Sequence, residues 1–556
     1  MPVQVWIQTQ KENVQMIKLV LEEAEQLCKG QKVKSGTQNG KKSLNRMVVY
    51  INSSIGYMIL PTNIYHDEEV KDEAGYFQVL TDLHLCSANL YSAVEIVYLP
   101  SPLLGLECSE SKPGPIQEAI AEWLKTVPER SLWKTGTTAS DFVERSPKRW
   151  SIYEPMLLLP SGSFQDIAWK TLLQSLGKNH LSALWKRILH TTWKKEGGKE
   201  LTHLAINSGI PPKQGSPIAE EQENHPSIPL NRSSASTPSP SSASSASTSK
   251  ENILRSPSGL LLLHGEFGPP LSPSAALAPT EADFRQAFWV STKQNGIVQT
   301  WAPRYTMFSR GNIKEKARIL EFHGSGPAVK AVEARRRVTR NERGRAAAID
   351  LYSGIGYFVF SYAAAGFGRV LCWEINPWSV EGLRRGCLKN GWNCQIVRGG
   401  ELDWPVEKLL RDDAKVVVFE EGNERAAERV QAIREWEVQD EERLLGDVLH
   451  MNCGFLPSSE ASWRTAWRVI CKSRSAWLHL HENVGVEDVA KRREEIEGTI
   501  GKWAMEEGTS QVEVEHVELV KTFAPGVWHC VFDVHVQPAL VDGPGHPSGY
   551  EEPNST

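Results

Sequence analysis

The chain has 556 residues, which is too long for one ordinary hydrophobic core, so we expect two or three domains. The formal net charge of −5 and the isoelectric point of about 6.3 exclude a general polyanion-binding protein and confine any basic surface to a local patch. The nine cysteines form no C-x-x-C pair, which argues against a zinc site and a disulfide framework and indicates a reducing compartment.

The N-terminus and the apolar runs bear on localisation. Residues Met1 to Trp6 do not form a basic segment followed by a long apolar one, so we expect no secretory signal. No apolar run reaches the roughly 18 residues that span a membrane. The sequence therefore predicts a cytoplasmic protein that does not contact membranes.

Composition divides the chain into six segments. The clearest change is at 233–249, which consists only of Ser, Thr, Ala and Pro and cannot bury enough apolar surface to fold. The predicted segments are an N-terminal α/β region (1–210), a disordered Ser/Pro-rich insert (211–258), a small α/β subdomain (259–329), a basic insert (330–345), a Rossmann-like domain (346–536) and a disordered tail (537–556).

The predicted basic insert carries a dense cluster of cations. Its cationic residues are Lys330, Arg335, Arg336, Arg337, Arg340, Arg343 and Arg345. Such a cluster either contacts nucleic acid or forms an ordinary solvated helix face or loop, and its composition leaves both interpretations open.

The Rossmann-like domain is predicted from a strand, a glycine turn and a second strand. The run Ala348 to Asp350 leads into Gly354 and Gly356, and a second apolar run ends at Glu374. Glycines let the backbone approach a nucleoside, and an acid after the second strand can accept both ribose hydroxyls. The dinucleotide-binding pattern is incomplete because position 359 is Val, whereas D-x-x-x-G-x-G is typical of S-adenosylmethionine enzymes. The alternative is a turn that only packs a helix on a strand.

A third strand is expected to end at Val416 to Phe419. It is followed by Glu420-Glu421-Gly422-Asn423, where a side chain could hydrogen-bond adenine.

Upstream of the glycine turn, the segment from Trp301 to Lys316 is dense in polar and cationic groups for a simple connector. Lys316 could pair with a cofactor carboxylate, and Ser309 could hydrogen-bond it. The alternative is a capped surface helix in which Ser309 or Asn312 serves as the N-cap.

Two later stretches carry further candidates. Asn452 follows an apolar run and could hydrogen-bond a base or the cofactor. In the alternating run Leu478 to Asn483, His479 and His481 share a face, and strand geometry sends Glu482 to the opposite one. We therefore expect no metal site, and a single histidine there is either a proton acceptor or a structural residue.

Six motifs occur in one order along the chain. They are Y-T-M-F-S-R-G-N-I-x-E-K, D-L-Y-S-G-I-G-Y-F, E-I-N-P, N-C-G-x-L-P-S-S-E, H-x-H-E-N-V and F-A-P-G-V-W-H. From about Leu260 to Val536 the chain resembles the wybutosine-synthesizing tRNA aminocarboxypropyltransferases, which are related to the tRNA guanosine-37 N1-methyltransferases. The long N-terminal region and the Ser-rich insert are similar to those of fungal members.

The resemblance implies a class I S-adenosylmethionine-dependent transferase with a Rossmann-like α/β fold. Its co-substrate would be S-adenosyl-L-methionine, and C7 of 4-demethylwyosine at position 37 of phenylalanine tRNA would take the aminocarboxypropyl group. 5′-Methylthioadenosine would be released. The expected partner is the anticodon loop, with the N-terminal region also gripping tRNA, and the expected state is a monomer without metal or membrane.

The resemblance also implies site residues. Ser309, Lys316 and Glu374 match cofactor-contacting positions, beside Asp350, Gly354 and Gly356 of the glycine turn. An Asp-Asn pair of the family falls on Gly422-Asn423, where the acid is missing and Glu421 could replace it; a poorer alignment places the pair at Gly400-Glu401. Asn452 is expected to position the base, and His481 to handle the proton.

Two rival functions remain open from the sequence. One is a guanosine-37 methyltransferase, although those relatives usually have Pro at the position of Tyr357 and an N-L-P loop instead of N-C-G-x-L-P-S-S. The other is a non-catalytic tRNA-binding protein that has kept the fold.

Overall fold

The computed structural model describes residues 3–10, 17, 34–36, 57–66, 78–80, 94–100, 113–207, 260–324, 338–411, 413–440, 445–508 and 510–538. The chain divides into two compact units, Met1–Pro113 and Gly114–Thr556. The first boundary therefore lies within the predicted N-terminal region 1–210. The predicted Ser/Pro-rich insert lies outside the described residues, as do the first half of the basic insert (330–337) and all but the first two residues of the predicted tail.

The first unit contains a four-stranded antiparallel sheet. Its order is β2-β3-β1-β4, so the strand at the chain's start lies between two later ones. The strands are β1 (Val3–Gln10), β2 (Lys34–Gly36), β3 (Tyr57–His66) and β4 (Val94–Pro100).

The second unit begins with helices packed on a small mixed sheet of order β5-β6-β7-β8. The elements are α1 (Pro115–Leu124), α2 (Glu129–Trp133), α3 (Ala139–Glu144), β5 (Ser151–Tyr153), β6 (Met156–Leu159), α4 (Ile167–Ser175), α5 (Lys178–Glu196), β7 (His203–Ile206) and β8 (Leu261–His264). Trp123, Trp169 and Trp185 lie in its core. Because β8 pairs with β7, the predicted boundaries at 210 and 259 cut through one sheet.

A hairpin and short helices lead to the large domain. They are α6 (Pro273–Leu277), α7 (Glu281–Gln286), β9 (Val290–Gln294), β10 (Ile297–Trp301), a 3-10 turn (Arg310–Asn312) and α8 (Ile313–Glu321). The Asn295-Gly296 pair forms the turn between β9 and β10, and both residues have positive φ, 51° and 79°. This hairpin turn requires positive φ, which Asn and Gly adopt at low cost.

The large domain is built on an eight-stranded sheet of order β13-β14-β12-β11-β15-β16-β18-β17. Its elements are α9 (Arg340–Arg343), β11 (Ala346–Asp350), α10 (Val359–Ala365), β12 (Arg369–Trp373), α11 (Pro377–Lys389), β13 (Cys394–Val397), α12 (Val406–Leu409), β14 (Val416–Phe419), α13 (Ala426–Asp440), β15 (Asp447–Cys453), α14 (Trp463–Ile470), β16 (Ala476–Gly485), α15 (Val489–Glu507), β17 (Ser510–Ala524) and β18 (Val527–Pro538). All neighbours from β13 to β16 are parallel, and β18 is antiparallel to β16 and β17.

Helices cover both faces of this sheet. On β11, Ala347 and Ile349 face the core formed with α13, α14 and α15, whereas Ala346 and Ala348 face the core formed with α8, α10 and α11. Near-continuous apolar strands are needed for a sheet buried on two faces. Strand order reverses between β11 and β15, and this switch point is where open α/β sheets bind ligands. The Rossmann-like prediction is therefore confirmed. In the part of the chain that the structure describes, no helix is both long and apolar enough to cross a membrane.

Candidate active site

The glycine turn is held by the acid after β12. Glu374 accepts hydrogen bonds from the backbone N–H groups of Gly354 and Asn376, each at 2.8 Å. Gly354 and Gly356 have φ of 52° and 92°, and a Cβ on Gly356 would lie 2.6 Å from the Phe360 ring. Glycine is therefore required at position 356 by both backbone and packing. Burial raises the pKa of Glu374 to about 7.

Asp350, the last residue of β11, is fully buried beside this turn. Its Oδ1 accepts from the backbone N–H of Tyr352 and from Nδ2 of Asn452, both at 3.1 Å. Its Oδ2 has no hydrogen-bond partner among the described residues. Burial raises the pKa of Asp350 to about 6.

The sequence leaves two positions for the third cofactor contact, Gly422-Asn423 and Gly400-Glu401. Strand β14 is the direct neighbour of β12, whereas β13 lies at the sheet edge, so the predicted third strand is β14. Asn423 follows it and donates from Nδ2 to the carbonyl of Leu351 at 2.9 Å, which brings it to the end of β11. Gly400 and Glu401 lie in the 3-10 turn after the edge strand.

Glu421 does not replace the missing acid at Gly422. It pairs with Arg429, whose Nη2 is 2.7 Å from its Oε2, and also accepts from the Trp373 indole at 3.3 Å. Instead, Oε2 of Glu424 lies 2.1 Å from where a Cβ on Gly422 would stand. A carboxylate from two residues further along therefore occupies the space that an acid at position 422 would use.

The upstream segment brings Lys316 and Ser309 to the same domain. Lys316 lies on α8 and is 4% exposed. Its Nζ donates to Oε1 of Gln294 at 2.5 Å and of Gln299 at 2.8 Å, and burial lowers its pKa to about 7. The surface-helix interpretation of this segment is wrong for Lys316, because a lysine on a solvated face would not be buried.

Ser309 is held between two elements. Its backbone N–H donates to the hydroxyl of Tyr357 at 3.0 Å, and its Oγ accepts from Nζ of Lys521 at 3.3 Å. Lys521, on β17, also lowers the pKa of Lys316 by charge repulsion. The sequence analysis missed Lys521, and nothing in its local sequence marks it.

Four side chains form one hydrogen-bonded row across the sheet. Asn452 donates to Asp350, and its Oδ1 lies 3.2 Å from Nε2 of His481. Nδ1 of His481 lies 2.9 Å from Nε2 of His529 on β18. The structure thus brings the two predicted catalytic residues together, with both ring nitrogens of His481 engaged. His529 belongs to the quoted F-A-P-G-V-W-H motif, but the sequence analysis gave it no role.

Glu482 lies on the opposite face from His481, as strand geometry predicted. It accepts from the backbone N–H of Ser459 at 2.8 Å and pairs with Arg492 at 3.1 Å. Glu482 therefore anchors the loop after β15. The described part of the chain contains no group of three His, Cys, Asp or Glu side chains arranged for a metal ion.

A buried ionic cluster ties α8 to the same sheet. Arg318 forms a two-bond pair with Glu315 at 2.8 and 2.6 Å and also pairs with Asp533 on β18. Oδ1 of Asp533 accepts from Nδ1 of His479 at 2.7 Å. These bonds fix the helix that carries Lys316.

The chain is similar in sequence to curated proteins of one kind. It is 35% identical over 398 residues to "tRNA wybutosine-synthesizing protein 2" of Schizosaccharomyces pombe, a match covering 72% of this chain and 75% of that protein. This chain belongs to the tRNA wybutosine-synthesizing protein 2 family. Another family member, from Saccharomyces cerevisiae, is 32% identical over 271 residues, which cover 46% of this chain and half of the yeast protein. The resemblance inferred from the six motifs is confirmed.

No family model matches the chain. Solved structures that are similar include P. horikoshii TYW2 in complex with MeSAdo, at a TM-score of 0.40, 16% identity and coverage of 76% of this chain and all of that one. The M. jannaschii tRNA m1G37 methyltransferase is similar at a TM-score of 0.38 and 13% identity, with coverage of 96% of this chain and all of that one. These overlaps are too loose for comparison of individual residues.

Proposed function

We propose that this protein transfers the 3-amino-3-carboxypropyl group of S-adenosyl-L-methionine to C7 of 4-demethylwyosine at position 37 of phenylalanine tRNA, releasing 5′-methylthioadenosine. The observation that carries the proposal is family membership together with the polarity of the site. Glu374 holds the glycine turn at Gly354, and the buried Lys316 lies over the ring of Tyr357 in the same turn, with Nζ 5.6 Å from the ring centroid. S-Adenosylmethionine has ribose hydroxyls at one end and a carboxylate at the other.

The residues present fit this co-substrate. Glu374 can accept the ribose hydroxyls while it holds the glycine turn, and Asn423, which contacts the Leu351 carbonyl after β11, is available for the adenine. Lys316 and Ser309 would hold the amino-acid end, with Lys521 adding a second positive charge. The buried Oδ2 of Asp350 has no hydrogen-bond partner among the described residues and can still accept one.

The sulfonium activates three carbons, and the one that faces the nucleophile reacts. Fixing the amino-acid end through Lys316 and Ser309 holds the carbon chain, and not only the adenosine, in a defined position. A methyltransferase needs the methyl group turned to the base instead. The two functions therefore differ in how the co-substrate is oriented towards the base. In both, the sulfonium activates the carbon that reacts.

Labelled co-substrate distinguishes the proposal from its rivals. The protein is incubated with tRNA that carries 4-demethylwyosine and with S-adenosylmethionine labelled in either the methyl or the carboxyl group. We expect the carboxyl label, and not the methyl label, in the tRNA. Transfer of the methyl label to guanosine 37 would identify a methyltransferase. Failure to bind the co-substrate at all would favour a non-catalytic tRNA-binding protein.

The pH dependence of co-substrate binding is a second test. Glu374 must be ionised to accept two hydroxyls, and Lys316 must be protonated to pair with a carboxylate. Both pKa values lie at about 7 in the free protein. Affinity is thus lost below pH 7 as Glu374 takes up a proton and above pH 7 as Lys316 loses one.

Isothermal titration calorimetry from roughly pH 5.5 to pH 8.5 measures this profile. We expect a maximum near neutrality. Glu374→Gln should flatten the acidic limb and Lys316→Met the alkaline one, with a residual pH dependence left in each. The amino group of the ligand and Asp350, with a pKa of about 6, titrate in the wild type and in both variants. A profile that is unchanged in both variants would contradict these two assignments.

The partner proposals follow from the same function. We propose that the anticodon loop is the bound part of the tRNA, that 1–210 and the basic insert grip its phosphates, and that the protein acts as a cytoplasmic monomer without metal. Arg340 and Arg345 are exposed, as phosphate contacts need to be. Arg343 instead donates to the carbonyls of Ala365 and Val338, which makes it a structural residue.

A further inference from the structure

His529 has a buried ring nitrogen without a partner at the edge of the candidate active site. The residue lies on β18, opposite Asn483 of β16 and Lys521 of β17, and its side chain is 0% exposed. Its Nε2 contacts His481, but its Nδ1 has no hydrogen-bond partner among the described residues. Buried polar atoms of a folded protein are normally satisfied, so an orphaned one at a site indicates a missing ligand.

The hydrogen-bonded row determines which nitrogen of His529 carries the proton. Oδ1 of Asp350 accepts from the backbone of Tyr352, so Asn452 must present its NH₂ group to Asp350 and its oxygen to His481. Nε2 of His481 is then the donor and its Nδ1 is an acceptor. His529 must therefore donate from Nε2, which leaves a lone pair on the unpartnered Nδ1.

His529 lies beside the end of the site that would hold the transferred group. Its cross-strand neighbour Lys521 donates to Ser309, and the charge of Lys521 acts on the His529 ring. Ser309 is a proposed contact of the amino-acid end of the co-substrate. Through Lys521 and Ser309, His529 is thus placed at the end of the site that would hold the carbon chain.

We propose that His529 is the proton acceptor of the reaction, and that Asp350, Asn452 and His481 position it in the basic tautomer. This inference rests on the proposed function. C7 of the base forms a bond to the methylene carbon as the carbon–sulfur bond breaks and its electron pair goes to sulfur. The proton on C7 then passes to Nδ1 of His529, the C–H electron pair restores the aromatic ring, and the imidazolium returns its proton to water after product release.

His481 cannot take this proton directly while its neighbours stay in place. Asn452 occupies its Nε2 and His529 its Nδ1, so neither ring nitrogen is open to the substrate. His481 and Asn452 are therefore positioning residues. Burial, together with the positive charge of Lys521, lowers the pKa of His529 to about 4, so the ring is neutral and able to accept a proton at neutral pH.

The test uses His529→Gln, because the amide of Gln can donate to His481 as Nε2 does but offers no basic nitrogen. Single-turnover transfer is measured with tRNA carrying hydrogen or deuterium at C7 of 4-demethylwyosine. We expect the single-turnover rate constant to fall by about 10²-fold or more, the usual contribution of a general base. Proton loss should then limit the rate, so a deuterium isotope effect that is small in the wild type should increase in the variant.

The matched control is His516→Gln. His516 lies on β17, is partly exposed and contacts Glu518 at 3.1 Å, and it is not a member of the hydrogen-bonded row. We expect the wild-type single-turnover rate constant and no increase in the isotope effect. Calorimetry with S-adenosylmethionine shows whether His529→Gln still folds and binds, and we expect an unchanged Kd.

A second variant tests whether lost activity comes from disturbed packing at this buried site and not from the missing base. His529→Gly leaves a ring-sized cavity, and added imidazole should restore transfer if the lost function is proton acceptance. Full activity of His529→Gln without an isotope effect would overturn the inference while the carboxyl-label result keeps the proposed function. If His529→Gln and His529→Gly are inactive, with neither an isotope effect nor imidazole rescue, the inference is also overturned. Methyl transfer by the wild type would instead overturn the proposed function.

Discussion

Asp533→Ala is expected to lower the free energy of unfolding by about 3–5 kcal/mol, the usual effect of breaking a buried ion pair by removing one partner. Asp533 is fully buried and accepts from Arg318 and His479. Without it, the Arg318 charge keeps only Glu315, and the N–H of His479 is left without an acceptor. Chemical denaturation followed by tryptophan fluorescence measures the change.

The stability that Asp533 contributes should also depend on pH. Arg318 and His479 hold the pKa of Asp533 well below its usual 3.8. A depressed carboxyl pKa adds stability above the unfolded value, and this stability is lost as the pH falls through the acid range. The difference between wild type and Asp533→Ala should accordingly shrink on acidification below about pH 5.

Asp413→Ala is the control for this experiment. Asp413 also pairs with an arginine, Arg411, at 2.8 Å, but both side chains are at least half exposed. An exposed pair contributes about 0–1 kcal/mol, so the control should change stability little. Equal effects of the two substitutions would mean that the buried cluster does not hold α8 to the sheet.

Glu374→Ala is expected to weaken S-adenosylmethionine binding by about 100-fold, or about 2.7 kcal/mol. The substitution removes the acceptor for the ribose hydroxyls. It also leaves the N–H groups of Gly354 and Asn376 without the carboxylate that sets the turn. Hydrogen bonds to charged groups contribute about 1.5–3 kcal/mol, so two lost contacts account for this magnitude. Calorimetry at neutral pH measures the Kd.

Glu401→Ala is the matched control and also tests the alignment of the third cofactor contact. Glu401 lies after the edge strand β13, and its carboxylate accepts from the backbone of Arg398 at 3.2 Å. We expect an unchanged Kd. A loss of affinity similar to that of Glu374→Ala would move the contact from Gly422-Asn423 to Gly400-Glu401.

Much of the large domain could be predicted because its signals are local. The apolar runs of β11 and β12, the two glycines and the acid at position 374 lie within 30 residues, and each determines the conformation or burial of its own neighbourhood. The hairpin at Asn295-Gly296 is predictable for the same reason. Segment boundaries were less accurate, since β7 and β8 pair across the whole Ser/Pro-rich insert.

The sequence by itself determined the family, the glycine turn and most of the candidate contacts, because motif residues are read in chain order. The tertiary structure decided which of these residues have all their polar atoms hydrogen-bonded and which keep a polar atom available for a ligand. Lys521 reaches Ser309 across 212 residues, and Asp533 reaches Arg318 across 215. The lone pair on His529 follows from a row that starts at Asp350, on another strand. Such relations depend on strand order and on proton placement through shared hydrogen bonds, and no local pattern contains either of them.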